Sequence, residues 1–265
     1  GACVAAAAAA AVSLGKAVIE AYGEYEQLVG GVDTLFQESS GKLQEYAANA
    51  YKTAGMSAND YMSTVTSFSA SLIQSLGGDT EAAVKYADMA ITDMADNANK
   101  MGTDIGLIQN AYQGFAKQNY TMLDNLKLGY GGTKTEMERL LADATKLSGV
   151  EYDIDNLSDV YEAIHVIQES MGIAGTTAKE GASTISGSLS SLSASWQNLV
   201  TGIADPNQDL GTLVGQFIDS AVVALDNLMP TIEQALVGIA DALVVLVPAI
   251  SERLPGLLEA TLPAL

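Results

Sequence analysis

The chain has 265 residues, which is enough to bury one well-formed core or two small ones. Its 12 basic and 32 acidic residues give a formal net charge of −20, and Arg253 is the only basic residue after Glu180. This balance argues against nucleic-acid binding, because a phosphate backbone is held by clustered Lys and Arg. The single cysteine, Cys3, excludes an internal disulfide framework.

The alanine-rich start of the chain predicts a helix. Its composition favours helix over residues 5–29, with Gly30 and Gly31 ending it. The sequence opens at Gly1 rather than at Met, and it lacks the basic start and leucine-rich core of a signal peptide. We therefore expect a segment of a longer protein, with the alanine run as a helix or a close-packed surface.

Short helices bounded by glycine are predicted through the middle of the chain. Residues 42–54 predict the second helix, and Ser57 and Asp79 are suited to cap the next two. From Val84 onward, apolar residues follow alternating steps of three and four, which is heptad spacing. We call this set the first seam: Val84, Ala87, Ile91, Met94, Ala98 and Met101. Further helices are predicted over residues 104–117 and 121–128, from Thr133 or Thr135, and from Ser158.

A longer heptad pattern follows and predicts one helix over residues 176–204, about 44 Å in length. We call its apolar residues the second seam: Ala178, Ala182, Ile185, Leu189, Leu192, Trp196, Leu199 and Ile203. The seams have two interpretations, packing within one chain or pairing between copies of the chain. Short glycine-bounded helices favour the first over residues 40–172, whereas the second seam leaves both open. Asp205 and Pro206 end this predicted helix.

Beyond residue 206 the sequence predicts amphipathic helices punctuated by Pro230, Pro248, Pro255 and Pro263. Acidic residues recur about every seven positions, which gives a thin acidic stripe beside wide apolar faces. Such faces must be covered by something. The charge-free stretch at 242–251 is too short for a membrane-spanning helix, which takes about 20 apolar residues.

Residues that carry chemistry are sparse. His165 is the only histidine, and metal sites or acid–base catalysis need converging partners, so we interpret it as a partly exposed residue on a helix face. Cys3 lies in polyalanine and is expected to be a small buried residue. Trp196 lies on the second seam, where core or interface packing is expected. We expect no enzyme activity, catalytic residue, metal site or cofactor.

Two groups of acidic residues and one glycine-rich loop are candidate ligand sites. Asp88, Asp93, Asp96 and Asp104 lack the spacing of a calcium loop, and a solvated acidic face is the favoured interpretation. The alternating acids over residues 151–155 leave a weak alternative of ion binding. Residues 129–134 (GYGGTK) lack the GxxxxGK[ST] spacing of a phosphate loop and predict a turn between helices.

The central segments carry a family resemblance. They read SANDYMSTVTSFSASLIQSLGGD (57–79), YADMAITDMADNANKMGTD (86–104), NAYQGFAKQNYTMLDNLKLGYGG (110–132) and KTEMERLLADATKLSG (134–149), extended by residues 162–188 and 195–206. The chain resembles the core region of tail tape measure proteins from long-tailed bacteriophages and prophages of Gram-positive hosts. The resemblance covers nearly the whole chain and transfers no catalytic residues.

The resemblance implies a structural virion protein. Such proteins occupy the lumen of the tail tube, help set tail length and assembly, and take part in genome ejection. The implied partners are tail tube and tail-tip or baseplate proteins, tail assembly chaperones and further copies of the chain, with no specific nucleic-acid binding. The implied locations are the virion tail lumen and, during assembly, the host cytoplasm. The alternative is a membrane-active, pore-assisting module in DNA delivery, with transient contact to the host membrane.

We predict an all-α protein in three parts. Residues 1–39 form an alanine-rich helix and linker, and residues 40–172 form a compact helical domain. Residues 173–265 form a long heptad-like helix followed by amphipathic helices. The compact domain is too globular to act as a ruler, so we expect it to serve in partner docking or ejection.

Overall fold

The computed structural model describes the backbone of residues 2–261 and the side chains of residues 6, 9–245, 247 and 248. Every regular element in the described backbone is a helix, which confirms the all-α prediction. The α-helices are α1 (Ala2–Phe36), α2 (Ser40–Thr53), α3 (Ala58–Ser75), α4 (Thr80–Met101), α5 (Ile105–Phe115), α6 (Lys134–Ser148), α7 (Leu157–Ser170), α8 (Thr176–Ser183), α9 (Ile185–Gly202) and α10 (Leu210–Thr261). Two 3-10 turns, Gln37–Ser39 and Leu123–Leu126, lie between them.

Short polar side chains begin most of these helices, as the sequence predicted. The Ser57 hydroxyl accepts a hydrogen bond from the Asp60 N–H at 3.1 Å, and Asp79 accepts from the Ala82 N–H at 3.0 Å. Each satisfies a backbone donor that the first helical turn leaves free. At α7 the cap is Asn156, whose Oδ1 accepts from the Ser158 N–H, so Ser158, the predicted start of this helix, lies inside it and does not cap it.

The apolar core lies among the last turns of α1 and helices α2–α7. Its buried cluster runs from Val32 to Ile173. Tyr161 lies at its centre, with its ring 5.5 Å from that of Phe68 and 5.1 Å from that of Tyr112. The first seam is buried here or packed against this cluster, so its partners lie within the same chain.

Helix α1 continues through Gly30 and Gly31 to Phe36, so the predicted end at these glycines was wrong. Each glycine inside a helix costs about 1 kcal/mol relative to alanine. Val32 and Phe36 just beyond them are fully buried, and burying two such side chains stabilises the fold by about 1.5–3 kcal/mol each. Tertiary packing therefore outweighs the local propensity.

The predicted single helix over residues 176–204 is two helices, and this prediction was wrong. Thr184 has φ −120° and ψ 153°, outside helical geometry, and its hydroxyl accepts from the Gly187 N–H to begin α9. The chain turns so tightly that a methyl group on Gly187 would overlap the Glu180 carbonyl. The end of α9 at Gly202, before Asp205 and Pro206, agrees with the prediction.

Helix α10 is one continuous element of 52 residues rather than several helices separated by prolines. Pro230, Pro248 and Pro255 all lie inside it, so the predicted punctuation was wrong at these positions, and Pro263 lies outside the described residues. An internal proline removes one backbone hydrogen bond. Ten of the 52 residues of α10 are leucine and seven are alanine, the residues with high helix propensity that continue the helix on both sides of each proline.

The turn before α6 predicts a position-specific effect of glycine. A methyl group on Gly132 would overlap the Thr121 backbone carbonyl, and a backbone atom cannot rotate away. We expect Gly132→Ala to lower the free energy of unfolding by about 2 kcal/mol. The control is Gly41→Ala in α2, where a methyl group meets nothing within 4 Å and should stabilise by about 0.4–1 kcal/mol. Chemical denaturation measures both, and equal effects of the two changes would contradict the packing described.

Candidate interaction surface

Helices α8–α10 rest on the bundle through small and polar side chains. The Ser191 hydroxyl donates to the Tyr51 carbonyl at 2.8 Å, and Asn198 Oδ1 accepts from the Ala58 N–H at 2.8 Å. Ser188 and Ser195 on the same face of α9 are buried. No residue of α8–α10 belongs to the buried apolar cluster of the described chain. Hydrogen bonds, close approach of small residues and the buried side chains of Leu199 and Val200 therefore hold this part in place.

Cavities lie along this contact. One of about 470 Å³ separates α2–α4 from α8 and α9, with Met56 and Ser190 among its lining residues. Another of about 270 Å³ separates α1–α3 from α9 and α10, with Met62 and Thr201 in its wall. Both are open to the surface, so they are clefts rather than voids inside the core. The contact between α8–α10 and the bundle is therefore interrupted at these two places.

The second seam faces away from the bundle. Within it Leu189, Trp196 and Ile203 are each more than two-fifths exposed, whereas Leu199 is buried. Helix α10 covers part of the seam, with the Phe217 ring 5.3 Å from that of Trp196. The remaining seam residues on α9, Ile185 and Leu192, are half-buried, and Ala178 and Ala182 lie on α8. The sequence predicted packing for Trp196, and the structure gives it one aromatic neighbour and an open face.

Helix α10 carries the largest exposed apolar surface of the described chain. Eight large side chains follow steps of four and three along one face, and each is between 40% and 62% exposed. We call them the α10 stripe: Ile218, Val222, Leu225, Met229, Ile232, Leu236, Ile239 and Leu243. The opposite face holds Ser220 and Ala224, which are buried against the rest of the chain. The exposed stripe is therefore left over after α10 has packed.

The part of α10 beyond residue 228 stands clear of the bundle. Every residue from 229 to 245 is exposed. The stretch Leu210–Val245 is the one helix of the described chain that is long and apolar enough to cross a membrane. Its most apolar 18 residues have a mean hydropathy of 1.5, and none of them is buried. The charge-free residues 242–251 are too short to cross a bilayer by themselves, but the acids of α10 are so widely spaced that the longer stretch still has the length and composition of a spanning helix.

A buried carboxylate lies between α4 and α7. His165 Nδ1 lies 2.8 Å from Asp93 Oδ1, and Asp93 is 1% exposed. Burial raises the pKa of Asp93 to about 6, although the histidine opposes this rise. The hydrogen bond to Asp93 raises the pKa of His165. His165 is thus a partly exposed helix residue, as expected, but no local pattern indicated its partner Asp93, which lies 72 residues away.

The interpretation of Asp93 and Asp96 as a solvated acidic face was wrong. Asp96 is fully buried, and it accepts from the Gly175 N–H at 2.6 Å and the Thr177 N–H at 2.7 Å at the start of α8. The alanines that flank the first seam are the sequence feature that could have indicated this burial. Small residues on several sides of α4 let other helices pack around it and enclose the acids. Asp88 accepts from the Tyr61 hydroxyl at 2.7 Å, and Asp104 caps α5.

The other candidate ligand positions hold local structure together. Asp153 Oδ1 accepts from the Asp155 N–H at 2.9 Å, which closes the turn before α7. In the predicted turn at residues 129–134, the Gly131 N–H donates to Glu136, and Arg139 stacks over the Tyr130 ring. Among the described residues no group of three or more His, Cys, Asp or Glu is placed to hold a metal ion. Cys3 lies outside the described side chains.

Comparison of the chain with protein-family models, with curated proteins and with solved structures found no match.

The Asp93–His165 pair predicts a pH-dependent effect of mutation. Both groups have raised pKa values in the fold, so the folded chain binds protons more tightly and the pair favours folding as pH falls. At about pH 7.5, His165→Ala leaves an ionised Asp93 buried without its partner and should cost about 3 kcal/mol. At about pH 5 the cost should shrink, because Asp93 is then protonated.

Denaturant unfolding of the unchanged chain and of His165→Ala at the two pH values measures how the stability cost of the substitution depends on pH. The control is Glu151→Ala, an exposed acid in the preceding loop, which should leave stability unchanged at either pH. A deficit for His165→Ala that is the same at both pH values would contradict the buried charge assigned to Asp93.

Proposed function

We propose that this chain is a structural segment of a tail tape measure protein. It would combine a rod that contributes to tail length with a helical module that docks partners at one end of the tube. The observation that carries the proposal is α10, a continuous helix of 52 residues that leaves the bundle and exposes its apolar face. The resemblance of the central segments points to the same function.

A ruler must convert residue number into length. Helix α10 does so at about 1.5 Å per residue, so its 52 residues span about 78 Å. The bundle of α2–α7 folds back on itself and adds little length for its number of residues. We therefore assign the length-setting part to α10 and any chain that continues its rod, and we assign docking or ejection to the bundle.

The charge of the chain supports a place in the tail lumen. A net charge of −20 repels the phosphate backbone of DNA that would pass through the same channel. The proposed partners are the tube wall, tail-tip or baseplate proteins, assembly chaperones and other copies of the chain. The proposed locations are the tail lumen and, during assembly, the host cytoplasm.

Lengthening α10 tests the proposal. Two extra copies of residues 232–245 inserted after position 245 keep the seven-residue repeat and add 28 residues of helix, about 42 Å. Tails assembled with this chain should lengthen by about that amount in electron micrographs, because the rod itself is longer. The control inserts the same number of Gly and Ser residues at the exposed turn of Gly77 and Gly78, where the chain grows and the rod does not.

The outcomes separate the two parts of the chain. Unchanged tails with the lengthened α10 would contradict a ruler in this helix. Tails that lengthen equally with both insertions would show that residue number rather than helix length matters, and would contradict the division between rod and bundle.

A second candidate function is a membrane-active module in DNA delivery. It is favoured by the stretch Leu210–Val245, whose length and composition would allow it to cross a bilayer. Under this proposal the full chain should bind phospholipid vesicles and release a trapped dye, and Val244→Asp on the exposed apolar surface should reduce both. Absence of binding to neutral and anionic vesicles alike would contradict it.

A further inference from the structure

A cleft of about 290 Å³ lies where the start of α3 meets α1 and α9. Three helices contribute to its walls, and the residues from each differ in chemistry: α1 and α3 bring polar and acidic groups, whereas α9 brings an aromatic ring. We call it the Trp196 cleft, and its walls include Leu14, Glu24, Asn59, Asp60, Trp196 and Thr201.

Two carboxylates in the wall of the Trp196 cleft have no cationic partner. Glu24 on α1 and Asp60 on α3 are both exposed, and neither forms a salt bridge with a described Lys, Arg or His. Asp60 Oδ2 accepts a hydrogen bond from the Ser57 hydroxyl at 2.7 Å, which leaves the second oxygen of this carboxylate for another donor. The cleft therefore favours a group that is positively charged.

A buried amide in the same wall lacks a donor. Asn59 is 8% exposed, and its Nδ2 donates to the Ala21 carbonyl at 3.0 Å and lies 3.5 Å from Glu24 Oε2. Because both neighbours are acceptors, they fix which end of the amide is the nitrogen. Asn59 Oδ1 is buried and has no hydrogen-bond partner in the described chain. A buried acceptor without a donor is unfavourable, so an N–H group that reaches this oxygen would be stabilised there.

The ring of Trp196 forms the apolar side of the cleft. Phe217 packs near it with ring centres 5.3 Å apart, and 43% of the tryptophan stays exposed. Leu14, which is 41% exposed, lies in the same wall. An open indole beside carboxylates favours a cation that can lie over the ring.

We propose that the Trp196 cleft binds an arginine side chain of a partner protein. A guanidinium is planar, permanently charged and has five N–H donors, so it can serve the two carboxylates and Asn59 Oδ1 while its plane stacks on the indole. Its apolar stem would lie along Leu14. The volume of the cleft equals that of about ten water molecules, which is room for one such side chain. The inference does not depend on the proposed function, because it rests on the cleft alone.

Other cations fit the cleft less well. A metal ion is disfavoured, because no group of three or more His, Cys, Asp or Glu in the described part of the chain is placed to hold one. A lysine ammonium is compact and strongly hydrated, and it has no plane to stack on the indole. A quaternary ammonium would suit the ring, but it has no N–H group to offer Asn59.

The fluorescence of Trp196 tests the proposal, since this is the only tryptophan of the chain. The probe is the peptide glycyl-arginyl-glycine with both ends blocked, added to the full chain. We expect a saturable change in tryptophan emission. Peptides with lysine or citrulline in place of arginine should bind about tenfold more weakly, because lysine lacks the planar donors and citrulline lacks the charge.

A pair of matched substitutions locates the binding. Glu24→Gln removes one carboxylate from the cleft and should weaken binding of the arginine peptide about tenfold, as expected for a lost charge-assisted hydrogen bond. The control, Glu26→Gln, removes the same charge from an exposed position of α1 outside the cleft and should leave binding unchanged. Circular dichroism of both variants checks that the helices stay folded.

Tryptophan emission that does not respond to the arginine peptide would overturn the inference. Equal weakening by the two substitutions would overturn it as well, because the peptide would then be held by the net charge of −20 rather than by the cleft. Equal binding of the lysine peptide would contradict the choice of arginine. None of these results bears on the proposed function, because tail length is measured separately.

Discussion

Burial of helix α4 is the constraint on which the rest of the structure depends. It contacts α2, α3, α5, α7 and α8, so its apolar face and its flanks are enclosed together. This enclosure puts Asp93 and Asp96 out of reach of water, where each needs a partner. His165 supplies one from α7, and the first N–H groups of α8 supply the other. The burial of α4 therefore determines both the packing of the core and the position at which α8, the first helix outside the core, begins.

The apolar residues of this chain serve two different surfaces. Those of α2–α7 meet one another, and the cluster closes at Ile173. Most of the large apolar residues of α9 and α10 stay exposed, while small and polar residues, with Leu199 and Val200, lie buried where α9 packs. A hydrophobic core is the main stabilising term of a fold, so the bundle can hold itself without the projecting helix. Nothing in the described part of the chain covers the exposed face of α10 beyond residue 228.

Much of the fold could be predicted from the sequence, because helix caps and apolar spacing act locally. Ser57 and Asp79 cap helices as predicted, Thr133 is the one of the two predicted starts (Thr133 or Thr135) that caps α6, and the first seam is part of the core or packed against it. The errors lie where distant contacts decide. Burial of Val32 and Phe36 carries α1 past two glycines, and the partner of Asp93 is 72 residues away. The α10 stripe is present in the sequence as heptad spacing, but only the packing of Ala224 shows which face stays open.

Hydrogen exchange of the full chain, followed at several protein concentrations, tests the central claim most directly. The account predicts that amides of residues 84–97 in α4 exchange most slowly at every concentration, because the bundle protects them. Amides of residues 232–245 should exchange much faster than those of α4 in dilute protein, because nothing in the described part of the chain covers these residues. Protection of residues 232–245 in dilute protein that equals the protection of residues 84–97 would contradict the account.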